Sequence, residues 1–409
     1  MHTILHRFYR QTMSFLQKKG LLFSFFFLSA PAFSITLPLN YNENHGDYAL
    51  MVLLAGHEKP LRLMLDTGSS NLNVVGDATL CPQCEELIAG NRFTPKAPAK
   101  PLKHEFFMRY GLGDGKLRQF QGPVNVPGKL TLEQFHYGVY EQGKDINNIV
   151  GFAYPQAADP RDNPTPPFFT RINQKYKLQD EFSLLLCDVR APSWLFLGPL
   201  PAALGIFPHH EVAITKKELY FVGQYGVSDK HGRMLVDLPG GGEAIIDSGT
   251  TAKIIYPDSK LAPLITYLKK HTSKKNQALP EDFWRGRACL ANELVDEDAF
   301  PDLYFHFKDR QGHPFRLKLP AKRYITSSAC GAGYVKLAFI GYQTNKTDTK
   351  TPNHKKNYPS FVILGTPFLE EYLTTFKQDN PATLIFHNST QLCNDAYQAR
   401  IKMNDTNRS

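Results

Sequence analysis

The chain has 409 residues, more than one hydrophobic core organises, so its length sets an expectation of two domains. Apolar residues make up 42% and aromatics 12%, with 29 Gly and 29 Pro, a balance that favours a turn-rich β protein over a helical one. A formal net charge of +9, part of it on Arg7, Arg10, Lys18 and Lys19, is too mild to demand a polyanionic partner such as nucleic acid.

Lys18-Lys19 precede an apolar run at residues 21–28, and residues 29–34 supply small side chains, the order of a secretory signal over 1–34. The run is about half the ~20 residues that a spanning helix needs. Export is therefore expected, to the exterior or to a bacterial periplasm, with no membrane span after leader removal. A retained interfacial anchor is the alternative. Six cysteines in an oxidising compartment favour disulfides, but sequence alone does not choose their pairing.

Short apolar runs bounded by Gly, Pro and Asn follow at 48–54 and 61–65 and read as strands. The second drives into Asp66-Thr67-Gly68-Ser69-Ser70-Asn71, and residues 71–75 lead away as another strand. Cys81-Pro82-Gln83-Cys84 fits a small disulfide, a redox motif or half a zinc site. No second Cys/His pair at zinc spacing is evident, and the βαβ context of a redox motif is lacking. Residues 106–110 and 117–120 flank Gly111-Leu112-Gly113-Asp114-Gly115, an expected β-hairpin tip whose spacing is not that of a phosphate loop.

Ile149-Val150-Gly151 is an apolar strand stopped by glycine. Phe168, Phe169, Ile172 and Tyr176 share one helical face, and residues 182–187 and 194–198 read as strands. A Gly/Pro-rich connection at 199–208 places the boundary between a lobe of residues 35–205 and one of 206–393. His209-His210 is expected to be solvated in that linker, and 394–409 to form a polar tail.

The second half repeats the plan. Strands near 212–214 and 219–222 precede an expected glycine turn, Gly240-Gly241-Gly242, and Ala244-Ile245-Ile246 then runs into Asp247-Ser248-Gly249-Thr250-Thr251. Pro257 is expected as a first helical residue ahead of Leu261, Leu264, Ile265 and Leu268. The basic stretch at 269–275 reads as a solvated helix end rather than a nucleic-acid patch. Ile363-Leu364-Gly365 is again glycine-stopped, with a short helix expected over 367–373. The two aspartates lie 181 residues apart, which marks duplication of a whole domain.

A single Asp-(Ser/Thr)-Gly-(Ser/Thr) is a weak signal, and two such turns closing two hairpins need no chemistry. Two copies, each after an apolar strand and each followed by apolar-apolar-Gly, point to carboxylates brought face to face. Such a pair cannot doubly ionise cheaply and shares one proton. In such a pair the ionised member can deprotonate a water while the protonated member polarises a carbonyl, a chemistry that needs no covalent intermediate, metal or cofactor. Neither H-E-x-x-H nor G-x-S-x-G occurs.

On these residues, from about Tyr48 to Cys393, the chain resembles the pepsin-like aspartic endopeptidases. The resemblance implies an all-β, bilobal acid-protease fold: two pseudo-symmetric barrel-like lobes, a few short helices and a deep central cleft. It implies Asp66 and Asp247 as the catalytic pair, supported by Thr67, Gly68, Ser69, Ser248, Gly249 and Thr250. Thr67 and Ser248 would join a cross-lobe network, and Ser69 and Thr250 would donate to the outer carboxylate oxygens. Tyr110, Gly111 and Leu112 match the substrate-binding flap. Polypeptide substrates, statine-type inhibitors and a monomer are implied as well.

The cysteine arrangement is most like the beta-secretase branch, which implies Cys81–Cys84, Cys187–Cys393 and Cys289–Cys330. Three features depart from the pattern. Asn73 stands where the family often has a tryptophan bonded to the flap tyrosine. Leu112 replaces a polar flap residue. Asp66 lies only 32 residues beyond the leader, which leaves no room for a basic propeptide and implies synthesis without a zymogen stage. A non-catalytic binding protein on the same fold is the alternative to an enzyme.

Overall fold

The computed structural model describes residues 33–343 and 361–393, except residues 87, 112, 161–163, 190, 203, 205–207, 389 and 390. The leader through residue 32, the tail from 394, Leu112 and part of the 199–208 connection lie outside the described residues. Alternation fixes the faces of the strands. In Leu61–Asp66, Leu61, Leu63 and Leu65 are buried while Arg62 and Met64 are half-covered.

Each half is built on the same three-strand crossing. Ile149–Gly151 lies parallel to Leu61–Asp66, with Asp66 opposite Gly151, and antiparallel to Leu72–Val75. Leu72–Val75 continues parallel to Leu130–Lys144. In the second half, Val362–Leu364 lies parallel to Met234–Ile246 and antiparallel to Ile254–Pro257, which runs parallel to Phe339–Tyr342. The short glycine-stopped strand thus threads between the strand entering each aspartate and the strand leaving it. Ile149–Gly151 is buried throughout, and in Val362–Leu364 Val362 and Leu364 are buried with Ile363 half-covered, which suits unbroken apolar runs rather than alternating ones.

The halves are joined by a shared antiparallel sheet of six strands. Ile35–Asn42 pairs with Ser193–Leu197, and that strand pairs with Glu181–Leu185. Tyr372–Lys377 follows, then Thr383–Asn388 and His209–Lys217. At the seam Phe182 stacks on its register partner Phe376 with centroids 4.7 Å apart, and the Ser183 and Thr375 hydroxyls meet at 2.8 Å. The fold is all-β and bilobal, with short helices at its margins.

Four local expectations are corrected. Gly240-Gly241-Gly242 is not a turn ending a strand. Met234–Ile246 runs through it, and Gly240 and Gly241 take φ of 78° and 89° in a wide irregularity between the pairs Gly226–Asp237 and Gln224–Gly242. His209 and His210 open a strand instead of a linker, and His210 stacks on Phe315 at 4.3 Å. Pro257 precedes the helix Asp258–Lys270 as its N-cap rather than its first residue. The helix after Gly365 covers only Thr366–Leu369, because Tyr372 onward is claimed by the seam sheet.

Candidate active site

Asp66 and Asp247 sit where two equivalent strands end, and each carboxylate is held by its own tetrapeptide. Asp66 Oδ1 accepts from the Gly68 N–H at 2.8 Å and Oδ2 from the Ser69 hydroxyl at 2.5 Å. Asp247 Oδ1 accepts from the Gly249 N–H at 2.8 Å and Oδ2 from the Thr250 hydroxyl at 2.6 Å. One oxygen of each group is therefore tied to a hydroxyl, and Oδ1 of each faces the opposite loop.

The two glycines make that approach possible. A Cβ on Gly68 would lie 2.6 Å from Asp247 Oδ1, and one on Gly249 would lie 2.2 Å from Asp66 Oδ1. Below the carboxylates the loops are locked reciprocally. The Ser248 hydroxyl donates to the Leu65 carbonyl at 2.7 Å and accepts from the Thr67 N–H at 3.1 Å. The Thr67 hydroxyl donates to the Ile246 carbonyl at 2.9 Å and accepts from the Ser248 N–H at 2.9 Å. Burial, and then the negative charge of Asp247, hold the Asp66 carboxyl well above the usual carboxylate range. Such a group keeps a proton where an ordinary aspartate has lost it.

The strands Lys100–Arg109 and Asp114–Val126 form a hairpin whose tip carries Tyr110 and Gly111. The Tyr110 N–H closes the tip on the Gly113 carbonyl at 2.8 Å, and Gly111 is exposed. Leu112 lies outside the described residues. Asn73 donates through Nδ2 to the Tyr110 hydroxyl at 2.7 Å, so in this structure an amide anchors the tyrosine from the strand that leaves Asp66. Burial raises the Tyr110 pKa, with the charge of Asp66 acting in the same direction. Among the described residues, no group of three His, Cys, Asp or Glu is placed to hold a metal ion.

A family model described as "Eukaryotic aspartyl protease" matches residues 47–385, a span that includes both aspartate loops, the hairpin and both threaded strands. The chain belongs to that family. None of the curated proteins compared with the chain matches it.

The chain also carries a charge cluster joining its two halves that its sequence does not reveal. Arg323, on the short helix Ala321–Tyr324, is buried and binds Glu371 through Nε at 2.9 Å and Asp188 through Nη1 at 3.1 Å. Its Nη2 donates to the Glu370 carbonyl at 2.6 Å. Tyr48 completes the junction, donating to Glu370 Oε1 at 2.8 Å and accepting from the Asp188 N–H at 3.0 Å. Four segments of the chain meet there, and only the adjacent acids Glu370-Glu371 just past Gly365 hinted at it. Disulfides join Cys81 to Cys84, Cys187 to Cys393 and Cys289 to Cys330. Among the described residues no helix is long and apolar enough to cross a membrane.

Proposed function

We propose that the protein is an aspartic-type endopeptidase that hydrolyses polypeptides with a water held between Asp66 and Asp247. The observation that carries this reading is the reciprocal packing of Gly68 against the Asp247 carboxylate and Gly249 against Asp66. That packing leaves two inner oxygens facing each other with their outer partners already fixed. In the resting pair one carboxyl keeps the shared proton. The ionised member takes a proton from the water as its oxygen attacks the scissile carbonyl, and the protonated member donates to the carbonyl oxygen. Collapse of the tetrahedral diol passes a proton to the leaving nitrogen and restores the pair. Tyr110, Gly111 and Leu112 close over the bound chain, with Asn73 holding the tyrosine.

In this reading residues 35–205 and 206–393 are the two lobes, each contributing one aspartate. The cysteine spacing supports placing the protein nearest the beta-secretase branch. The sequence order at residues 1–34 supports export, and the protein acts as a monomer sensitive to statine-type inhibitors. The test is cleavage of denatured casein between about pH 3 and 6, with and without a statine-type inhibitor. Parent activity that persists unchanged in Asp66→Asn or Asp247→Asn would overturn the assignment.

A further inference from the structure

The two aspartate loops match each other except in length. From Asp66 the chain takes six steps to Leu72, which pairs with Val150, whereas from Asp247 it takes seven to Ile254, which pairs with the equivalent Leu364. The extra residue is absorbed at Ala252, whose φ of 51° lies in the left-handed region and whose N–H is fixed by the Thr366 hydroxyl at 2.8 Å. Lys253 follows immediately. A Cβ on Gly365 would lie 2.1 Å from the Thr250 carbonyl and 2.3 Å from that of Lys253, so this loop is pinned against the second threaded strand.

A second lysine approaches from the neighbouring sheet. The Ile254 N–H donates to the Ala338 carbonyl at 2.8 Å, which draws Lys253 alongside the end of the strand Tyr334–Leu337. Lys336 on that strand is 8% exposed, and Lys253 is half-buried. Among the described residues, neither ammonium makes a hydrogen bond or an ion pair. Burial and then the charge of Lys253 push Lys336 down to about 8, so it stays charged in acid, and burial lowers Lys253 as well. A largely buried lysine beside a second, half-buried one, with no counter-charge among the described residues, is costly to keep charged, and an anion between them relieves the repulsion.

We propose that Lys253 and Lys336 form a subsite for an acidic side chain of the polypeptide substrate, making the enzyme selective for Glu or Asp near the scissile bond. The inference rests on the endopeptidase reading. Lys253 lies three residues beyond Thr250, whose hydroxyl holds Asp247. Three residues span at most about 10 Å, and an extended substrate covers the same distance in about three positions.

The experiment compares peptides that differ only by Glu or Gln at each of three positions on either side of the cleaved bond, at about pH 5.5, where glutamate is ionised. At one position Glu should raise kcat/KM about tenfold over Gln. Lys253→Met and Lys336→Met should each bring that ratio near one, Lys253→Glu should invert it, and Lys336→Arg should keep it. Melting curves accompany each variant. Equal cleavage of Glu and Gln peptides at every position overturns the subsite, as does a preference that survives in both Met variants. A phosphoserine preference without a Glu preference overturns it too. The same peptides are also bound to Asp66→Asn by fluorescence anisotropy. Lysine-dependent selection of Glu there, with no cleavage by the parent, would refute the peptidase reading and leave the subsite standing.

Discussion

Ser248→Ala tests whether the lock beneath the carboxylates holds the lobes in register. Ser248 and Thr67 are buried, at 1% and 0% exposure, so water does not replace the lost hydroxyl. The substitution strips the Leu65 carbonyl of its 2.7 Å donor and the Thr67 N–H of its 3.1 Å acceptor. Each orphaned buried group costs roughly 1–3 kcal/mol, for a total of about 2–6 kcal/mol. At roughly 2 °C per kcal/mol for a chain of this size, the thermal midpoint should fall by about 4–12 °C. Calorimetry at a fixed scan rate reads this, and kcat/KM on one peptide should fall with it because the carboxylates ride on the same loops. Thr67→Val removes the mirror-image pair of bonds, and the double variant should lose less than the two single losses added together. A midpoint change under about 1 °C with kcat/KM intact would refute the reasoning.

Gly249→Ala places a methyl group 2.2 Å from Asp66 Oδ1, so kcat/KM should drop by at least about 100-fold while circular dichroism still reports a folded protein. Asp66→Asn should stabilise the protein at neutral pH. A carboxyl whose folded pKa lies above its unfolded value contributes stability below the unfolded value of about 4, and that contribution declines as pH rises through the raised one. The Asn variant should therefore melt above the parent at pH 7 and level with it near pH 3; a gain that is the same at both contradicts the linkage. Arg323→Leu removes the guanidinium that Asp188, Glu370 and Glu371 share and should cost about 3–5 kcal/mol at pH 7. Denaturant titration should show the loss shrinking at pH 4, and an equal loss at both values would mean that packing, not charge, is what Arg323 provides.

The aspartate loops were legible because each is written in contiguous residues: an apolar strand, the acid, two small hydroxyl residues and a glycine. The threaded strands could be read for the same reason, since Ile149-Val150-Gly151 and Ile363-Leu364-Gly365 are apolar on both faces. The Arg323 cluster was not legible. Its members lie at 48, 188, 323 and 370–371; in their own windows the charged ones look like ordinary surface residues and Tyr48 like a strand residue, and only the fold brings them together. His209-His210 misled because polar residues at a strand's exposed end have the composition of a linker. Gly240-Gly241-Gly242 misled because a strand irregularity and a turn demand the same positive φ. The extra residue before Lys253 emerges only when the registers of Leu72 and Ile254 are set side by side.

The shared sheet has a consequence for biosynthesis. Its order sets three strands of the first half beside three of the second, with Glu181–Leu185 bonded to Tyr372–Lys377, whose other edge is covered by Thr383–Asn388. Strands this far apart in sequence must wait for one another, and loop closure over such distances is slow. A nascent chain that has emerged only through Asp247 has both aspartates but lacks the threaded strand of the second lobe and two of the six seam strands. On the endopeptidase reading, competence for hydrolysis waits for strands made after both aspartates, and the order of translation keeps the unfinished site inert.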